Sequence, residues 1–152
     1  EVAGRLRPQF DDQEVELVVV SAPALPVLAD RDRIAQVFTN LIGNALSYTP
    51  SGGRVFVRSE KKVSQAQVSV SDTGRGLAAD QLEVVFERFY RADRSVAGGT
   101  GIGLTIARSL ARLHGGDVSA SSPGTGRGST FTLTLPLVGE GSQRTNTRDE
   151  RR

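Results

Sequence analysis

The sequence predicts an α+β fold: one mixed, mostly antiparallel sheet covered by about three helices in a two-layer sandwich. Three observations point there. Two long stretches carry helical periodicity, several short runs are apolar or alternating, and some of those runs are spaced as hairpins.

Glu14 to Ser21 alternates and then turns continuously apolar (Val15, Leu17, Val18, Val19, Val20), which predicts a strand broken by Pro23 and Pro26. Val27-Leu28-Ala29 predicts a short second strand. Asp30 is the predicted N-cap of a long helix from Arg31, in which Ile34, Val37, Phe38, Leu41, Ile42 and Ala45 form one core-facing stripe. Thr49-Pro50-Ser51-Gly52-Gly53 stops it. Arg54 to Glu60 and Gln65 to Ser71 predict two strands, joined as a hairpin around Lys61-Lys62.

After the glycine-bearing turn Asp72 to Gly76, Asp80 to Val85 predicts a short helix. A second amphipathic helix runs from about Ile102 to Leu113 and closes at His114-Gly115-Gly116, a glycine C-cap. Asp117 to Ser121 and Ser129 to Leu135 predict the last strands, separated by Pro123-Gly124-Thr125-Gly126-Arg127-Gly128. Residues 1–138 form the predicted domain, with a core over about 14–137, and 139–152 read as a disordered polar tail.

Composition removes several kinds of chemistry. The chain has no Cys, which excludes a thiol nucleophile and a Cys-based metal site, and its single histidine, His114, excludes a multi-His zinc site. Lys61 and Lys62 are the only lysines, and no GxxxxGK[ST] loop occurs, so ATP chemistry of the Walker type is ruled out. With a net charge of +2 and arginines scattered without aromatic interleaving, nucleic acid is not an expected partner. No apolar run approaches the roughly 18 residues of a membrane span, so no direct membrane contact is expected of this segment.

Four short constellations carry functional residue types. On the first long helix, Asn40, Asn44 and Ser47 fall within about 60° of one another beside the core stripe, where amide oxygens can offer hard ligands to Mg²⁺. Asp72-Thr73-Gly74-Arg75-Gly76 follows a strand, and a carboxylate there can accept from an exocyclic amine such as adenine N6 while glycines admit the base. Gly98-Gly99-Thr100-Gly101-Ile102-Gly103 opens a helix, a place suited to phosphate. Phe86-Glu87-Arg88-Phe89-Tyr90-Arg91 combines two rings that can pin a loop base with a guanidinium that suits phosphate. Each has a plainer alternative: solvated asparagines, an Asp-containing turn, a flexible glycine linker, a short amphipathic helix.

Together, in this order, the segments Asn40-Leu41-Ile42-Gly43-Asn44-Ala45, Asp72-x-Gly74-x-Gly76, Phe86 to Arg91 and Gly99-Thr100-Gly101-Ile102-Gly103-Leu104 resemble the N, G1, F and G2 boxes of bacterial sensor histidine kinases. Gly126-Arg127-Gly128-Ser129-Thr130-Phe131 and Leu135-Pro136 resemble that family's last strand, and the likeness covers about residues 15–137.

The resemblance implies the Bergerat ATP-binding fold, shared with gyrase B, the Hsp90 chaperones and MutL. It implies that Asn44 helps hold Mg²⁺, that Asp72 reads adenine N6, and that Gly74 and Gly76 shape the pocket. Gly99, Thr100, Gly101, Ile102, Gly103 and Leu104 would border a mobile ATP lid, spanning 91–100, and meet the phosphates. Arg91 would approach the γ-phosphate, Tyr48 would pack near adenine, and Ser129 would reach the base through water. Asn40 stands where the family's ATPases carry a glutamate that activates water, so hydrolysis should be poor. Ser47 departs from the family's frequent lysine, which puts a phosphate contact in doubt.

By the same resemblance, the domain uses Mg-ATP to phosphorylate a histidine on a separate dimerisation domain, for relay to the aspartate of a response-regulator receiver domain. His114, in the family's Leu-His-Gly-Gly ending, is read as structural rather than as the acceptor. The parent is expected to be a homodimeric membrane receptor with this domain in the cytoplasm, and the isolated domain a monomer that does not autophosphorylate. Other Bergerat-fold enzymes, an ATPase or a serine kinase, and a degenerate nucleotide-binding interaction module are the alternatives.

Overall fold

The structure, a computed structural model, describes residues 1–20, 24–88, 90 and 102–138. The chain order is α1 (Val2–Asp12), β1 (Glu16–Val20), α2 (Arg31–Tyr48), β2 (Arg54–Lys62), β3 (Gln65–Asp72), α3 (Gln81–Val84), α4 (Gly103–Leu113), β4 (Asp117–Ser121) and β5 (Ser129–Pro136). The strands make one five-stranded open sheet in the order β1-β2-β3-β5-β4. β1 and β2 run parallel, joined by the crossover through α2, and the other pairings are antiparallel. This is the α+β sandwich the sequence predicts.

Strand alternation builds one apolar face. Val55, Val70, Val118, Phe131 and Leu133 are buried from it against Val37, Leu41 and Ala45 of α2 and Ala107 and Ala111 of α4. Asp30 caps α2 as expected, its carboxylate accepting from the N–H groups of Asp32 and Arg33 at 3.0 and 3.1 Å. α4 ends in a Schellman motif, with Gly116 N–H donating to Ala111 O at 3.0 Å and Gly115 N–H to Arg112 O at 3.1 Å, and Gly115 at φ 80°.

Three expectations need correction. The core does not start near residue 14, because α1 contributes Leu6 and Phe10, the latter 1 % exposed. Pro8 inside α1 argues against a helix there, but the Val2, Leu6, Phe10 spacing of four is the stronger signal. The strand expected at Val27-Leu28-Ala29 reduces to a single bridge between Val27 and Leu137. Pro26 has no N–H to extend a ladder, and Leu28 turns to solvent.

The hairpin turn falls at Val63-Ser64 rather than at Lys61-Lys62, which pair with Ala66 and Gln65 inside the ladder. Ala66, Val68 and Val70 must face the helices, and that register carries both lysines into β2. The turn is closed by Val63 at φ 52°, a left-handed conformation unusual for a β-branched residue.

Candidate functional site

Asp72 ends β3 on the helix-facing side, in step with Ala66, Val68 and Val70. The register therefore directs a carboxylate into the layer between sheet and helices, where it is 7 % exposed. Three donors hold it. Gly74 N–H and Ser129 N–H donate to Oδ1 at 2.9 and 3.3 Å, and the Ser129 hydroxyl donates to Oδ2 at 2.8 Å. Ser129 meets Asp72 directly because the two are register partners across β3 and β5. Burial pushes the Asp72 carboxyl above its ordinary value, while the Gly74 and Ser129 donors oppose the shift.

The turn after Asp72 is packed so tightly that two of its glycines are obligatory. A Cβ on Gly74 would lie 2.1 Å from Tyr48 O, and one on Gly76, at φ 68°, would lie 2.2 Å from Gly124 O. The turn is also sewn to the glycine-rich loop before β5: Gly126 N–H donates to Arg75 O, and Gly128 N–H to Gly74 O at 3.0 Å. Ser122 fixes that loop, its hydroxyl donating to Gly128 O at 2.6 Å and accepting from Leu77 N–H at 3.0 Å.

Beside this turn, between α2, α4 and β5, opens a cleft of about 490 Å³, within the range of small-molecule sites. Leu77, Val85, Leu104 and Phe131 supply apolar wall, and Asn40, Asn44, Ser47, Tyr48, Gly76, Ile102, Gly103 and Ser129 line it as well. A wider, more open recess of about 1150 Å³ adjoins it and shares Ser47, Tyr48, Arg75, Gly76 and Tyr90 with the cleft.

Along α2, Asn40 is engaged at both ends of its amide: Nδ2 donates to Gly103 O at 3.0 Å, and Oδ1 accepts from Gln36 Nε2 at 2.8 Å. It therefore ties α2 to the first turn of α4. Asn44, one turn on, borders the cleft with no hydrogen-bond partner for its side chain among the described residues. Ser47 turns its hydroxyl back to Gly43 O at 3.1 Å. The Tyr48 ring carries the Arg75 guanidinium over it, 4.5 Å from the centroid.

The site is braced from the F-box side. Phe86 packs edge-on against Phe131 with centroids 6.1 Å apart, and Arg108 of α4 lies over the Phe86 ring at 4.2 Å. Thr105 Oγ1 donates to Phe86 O at 2.8 Å. Gln81 accepts from Ala78 N–H at 2.8 Å and donates to the Tyr90 hydroxyl at 3.1 Å.

The structure thus gathers Asn40, Asn44, Ser47, Tyr48, Gly74, Gly76, Ile102, Gly103, Leu104 and Ser129 around one cleft and its adjoining recess, and Asp72 stands just behind that lining, bonded to Gly74 and Ser129. Arg91, Gly99, Thr100 and Gly101, the expected lid over 91–100, Phe89 and the 139–152 tail lie outside the described residues. Sequence reasoning missed Leu77, Val85 and Phe131 as cleft walls, Ser122 as the loop anchor, and Gln81 and Tyr90 as a pair. Strand alternation from Ser129 was the one available signal, since it places Phe131 on the same face.

His114 takes no part in this cleft. Its Nε2 accepts from Asp30 N–H at 3.1 Å, which leaves the proton of the neutral ring on Nδ1, 2.7 Å from Leu110 O. It stands at the far end of the 11-residue α4 from Gly103, about 16 Å along the axis.

Comparison with known proteins agrees with this geometry. Residues 29–139 match the family described as histidine kinase-, DNA gyrase B-, and HSP90-like ATPase. The chain is 33 % identical over 156 residues to the sensor-like histidine kinase SenX3 of Mycolicibacterium smegmatis, an alignment covering 100 % of this chain and 40 % of that protein. It therefore spans less than half of that relative's length. Among solved structures, full-length ShkA in complex with AMPPNP superposes with a TM-score of 0.79 at 32 % identity, covering 90 % of this chain and 28 % of that one. Histidine kinase ThkA in complex with the response regulator protein TrrA gives a TM-score of 0.75 at 25 % identity, covering 90 % of this chain and 38 % of that one. The chain belongs to the family of histidine kinase-, DNA gyrase B-, and HSP90-like ATPases, and within it the similarity runs to sensor histidine kinases.

Proposed function

We propose that this domain binds Mg-ATP with its base at Asp72 and donates the γ-phosphoryl group to a histidine on a separate dimerisation domain. The observation that carries the reading is the buried Asp72 carboxylate, fixed by Gly74 and Ser129 beside a cleft of nucleotide size. A carboxylate so held remains an acceptor, and an exocyclic amine such as adenine N6–H₂ is the donor that suits it.

The donor set also fits a magnesium ion. Asn44 presents an amide oxygen that no described protein group engages, and a hard oxygen ligand of this kind suits Mg²⁺, which takes most of its shell from phosphates and water. Bound there, the ion would neutralise phosphate charge. The first turn of α4 at Gly103, which Asn40 ties to α2, offers backbone N–H groups and the positive end of a helix dipole to the phosphates.

Hydrolysis finds little help in this cleft. Asn40 is an amide engaged at both ends, and no described residue lining the cleft has a side chain suited to take a proton from water near neutrality. The γ-phosphoryl group is therefore kept for a better nucleophile. A histidine nitrogen attacks the γ-phosphorus, the bond to the β–γ bridging oxygen breaks, and ADP leaves. Arg91 is proposed from its place in the motif to approach the γ-phosphate. The phosphohistidine then supplies the aspartate of a response-regulator receiver domain, a partner class supported by the similarity to ThkA in its complex with TrrA. The parent is proposed to be a homodimeric, membrane-bound receptor. No described helix is long and apolar enough to cross a membrane.

Titration with AMPPNP, with and without Mg²⁺, tests the binding step on the wild type and on Asn44→Ala. Saturable binding that Mg²⁺ strengthens in the wild type but not in Asn44→Ala is expected. The transfer step is tested with labelled ATP and the parent's histidine-bearing domain supplied in trans. Acid-labile label on that domain, and none on this chain alone, is the expected result; label on His114 would overturn the reading.

A further inference from the structure

Among the described residues that line the cleft, Arg75 is the only one with a charged side chain. The proposed ligand is a polyanion, and one guanidinium on the wall must weigh in its recognition. The guanidinium is not left to wander. It lies over the Tyr48 ring at 4.5 Å, and its own backbone is pinned where Gly126 N–H donates to Arg75 O. The glycines on either side pack against Tyr48 O and Gly124 O, so the turn that presents Arg75 has little room to shift.

We propose that Arg75, seated on Tyr48, reads the phosphate charge of the nucleotide and makes affinity rise with the number of phosphates. The inference rests on the nucleotide reading of the cleft. A guanidinium carries a permanent positive charge and planar N–H donors of the kind that suits phosphate oxygens. Ser47 cannot play this part, since its hydroxyl donates to Gly43 O and it carries no charge. Tyr48 acts here as a positioning residue, holding the cation one helical turn from Asn44.

The experiment is a titration of adenosine, ADP and AMPPNP, each with Mg²⁺ and at several salt concentrations. It is run on the wild type, Arg75→Leu, Arg75→Lys and Tyr48→Leu, with melting temperatures recorded for each. Arg75→Leu is expected to weaken adenosine by less than about 2-fold, ADP by about 5-fold and AMPPNP by about 10- to 30-fold, and to flatten the salt dependence. Arg75→Lys should retain part of the gradation, because charge rather than shape sets it, and Tyr48→Leu should lose part of it. An equal loss for all three ligands would assign Arg75 to the base or to the fold and overturn the proposal, as would no loss at all. A wild type that binds none of the three would instead overturn the nucleotide reading beneath it.

Discussion

The hydroxyl of Ser129 donates to the carboxylate of Asp72 at 2.8 Å, although the two lie 57 positions apart in the chain. The contact exists because β3 and β5 are neighbours in the register that makes these residues partners. Its consequence is an acceptor that is buried yet fully oriented, and it separates what Asp72 does for binding from what it does for stability.

Asp72→Asn should therefore fold and yet bind poorly. The amide oxygen can still accept from Gly74 and Ser129, but its NH₂ faces the ligand's amine donor. Nucleotide affinity is expected to fall about 10- to 100-fold, as for a hydrogen bond to a charged group. Stability moves the other way. The folded-state pKa of Asp72 is raised above its ordinary 3.8 by burial, so the ionised form costs stability at neutral pH and the cost is relieved as pH falls through the folded pKa towards 3.8. Asp72→Asn should melt no lower than the wild type at pH 7, with any advantage shrinking over that acid window. A variant that melts well below the wild type at pH 7 would contradict this account.

Val63 offers a stability test far from the cleft. It is 95 % exposed and sits at φ 52°, so its β-branched side chain contributes strain and buries nothing. Val63→Asn, which tolerates the left-handed region, is expected to stabilise the domain by about 1 kcal/mol. Chemical denaturation would show this as a higher midpoint at unchanged slope, and nucleotide affinity should not move.

Arg108 joins three elements that otherwise touch only in part. With its side chain 14 % exposed, it pairs with Asp117 at 3.1 Å and Glu83 at 2.9 Å and covers the Phe86 ring. Arg108→Ala is expected to cost about 1–2 kcal/mol, chiefly through the lost stack and the packing of its stem. Glu83→Gln should change thermal stability little, because Glu83 is a solvated partner. Equal losses in the two variants would move the weight from the ring to the ion pair.

His114 bonds the N-cap residue of α2 and the last turn of α4 with its two ring nitrogens. His114→Phe keeps the ring's bulk but loses both bonds, so a cost of about 1–2 kcal/mol is expected, with nucleotide affinity within about 2-fold of the wild type. Thermal melts and an AMPPNP titration on the same sample check both halves. A collapse of binding without a drop in melting temperature would point to a role in the site.

Much of this molecule was legible in the residues themselves. Local signals survive without the rest of the fold: the Asp30 cap, the helical stripe from Ile34 to Ala45, the alternation of β3 and β5, and the glycines that close α4. Each depends on neighbours within a turn or a strand, where spacing alone sets which side chains share a face. The same spacing put Asn40, Asn44 and Ser47 on one flank of α2 and Asp72 at a strand end.

Tertiary structure decided what these residues touch. That Asn40 reaches Gly103 rather than solvent follows from α4 lying against α2, a contact across 63 positions. That Arg75 lies on Tyr48 follows from the close approach of the Asp72 turn to the end of α2, which a side chain on Gly74 would block. The hairpin turn settled on Val63 because a core face had to be satisfied across the whole ladder, at the expense of one local preference. Sequence fixes the faces because periodicity is local; partners are chosen by which faces must be buried together, and that is a property of the assembled sheet and helices.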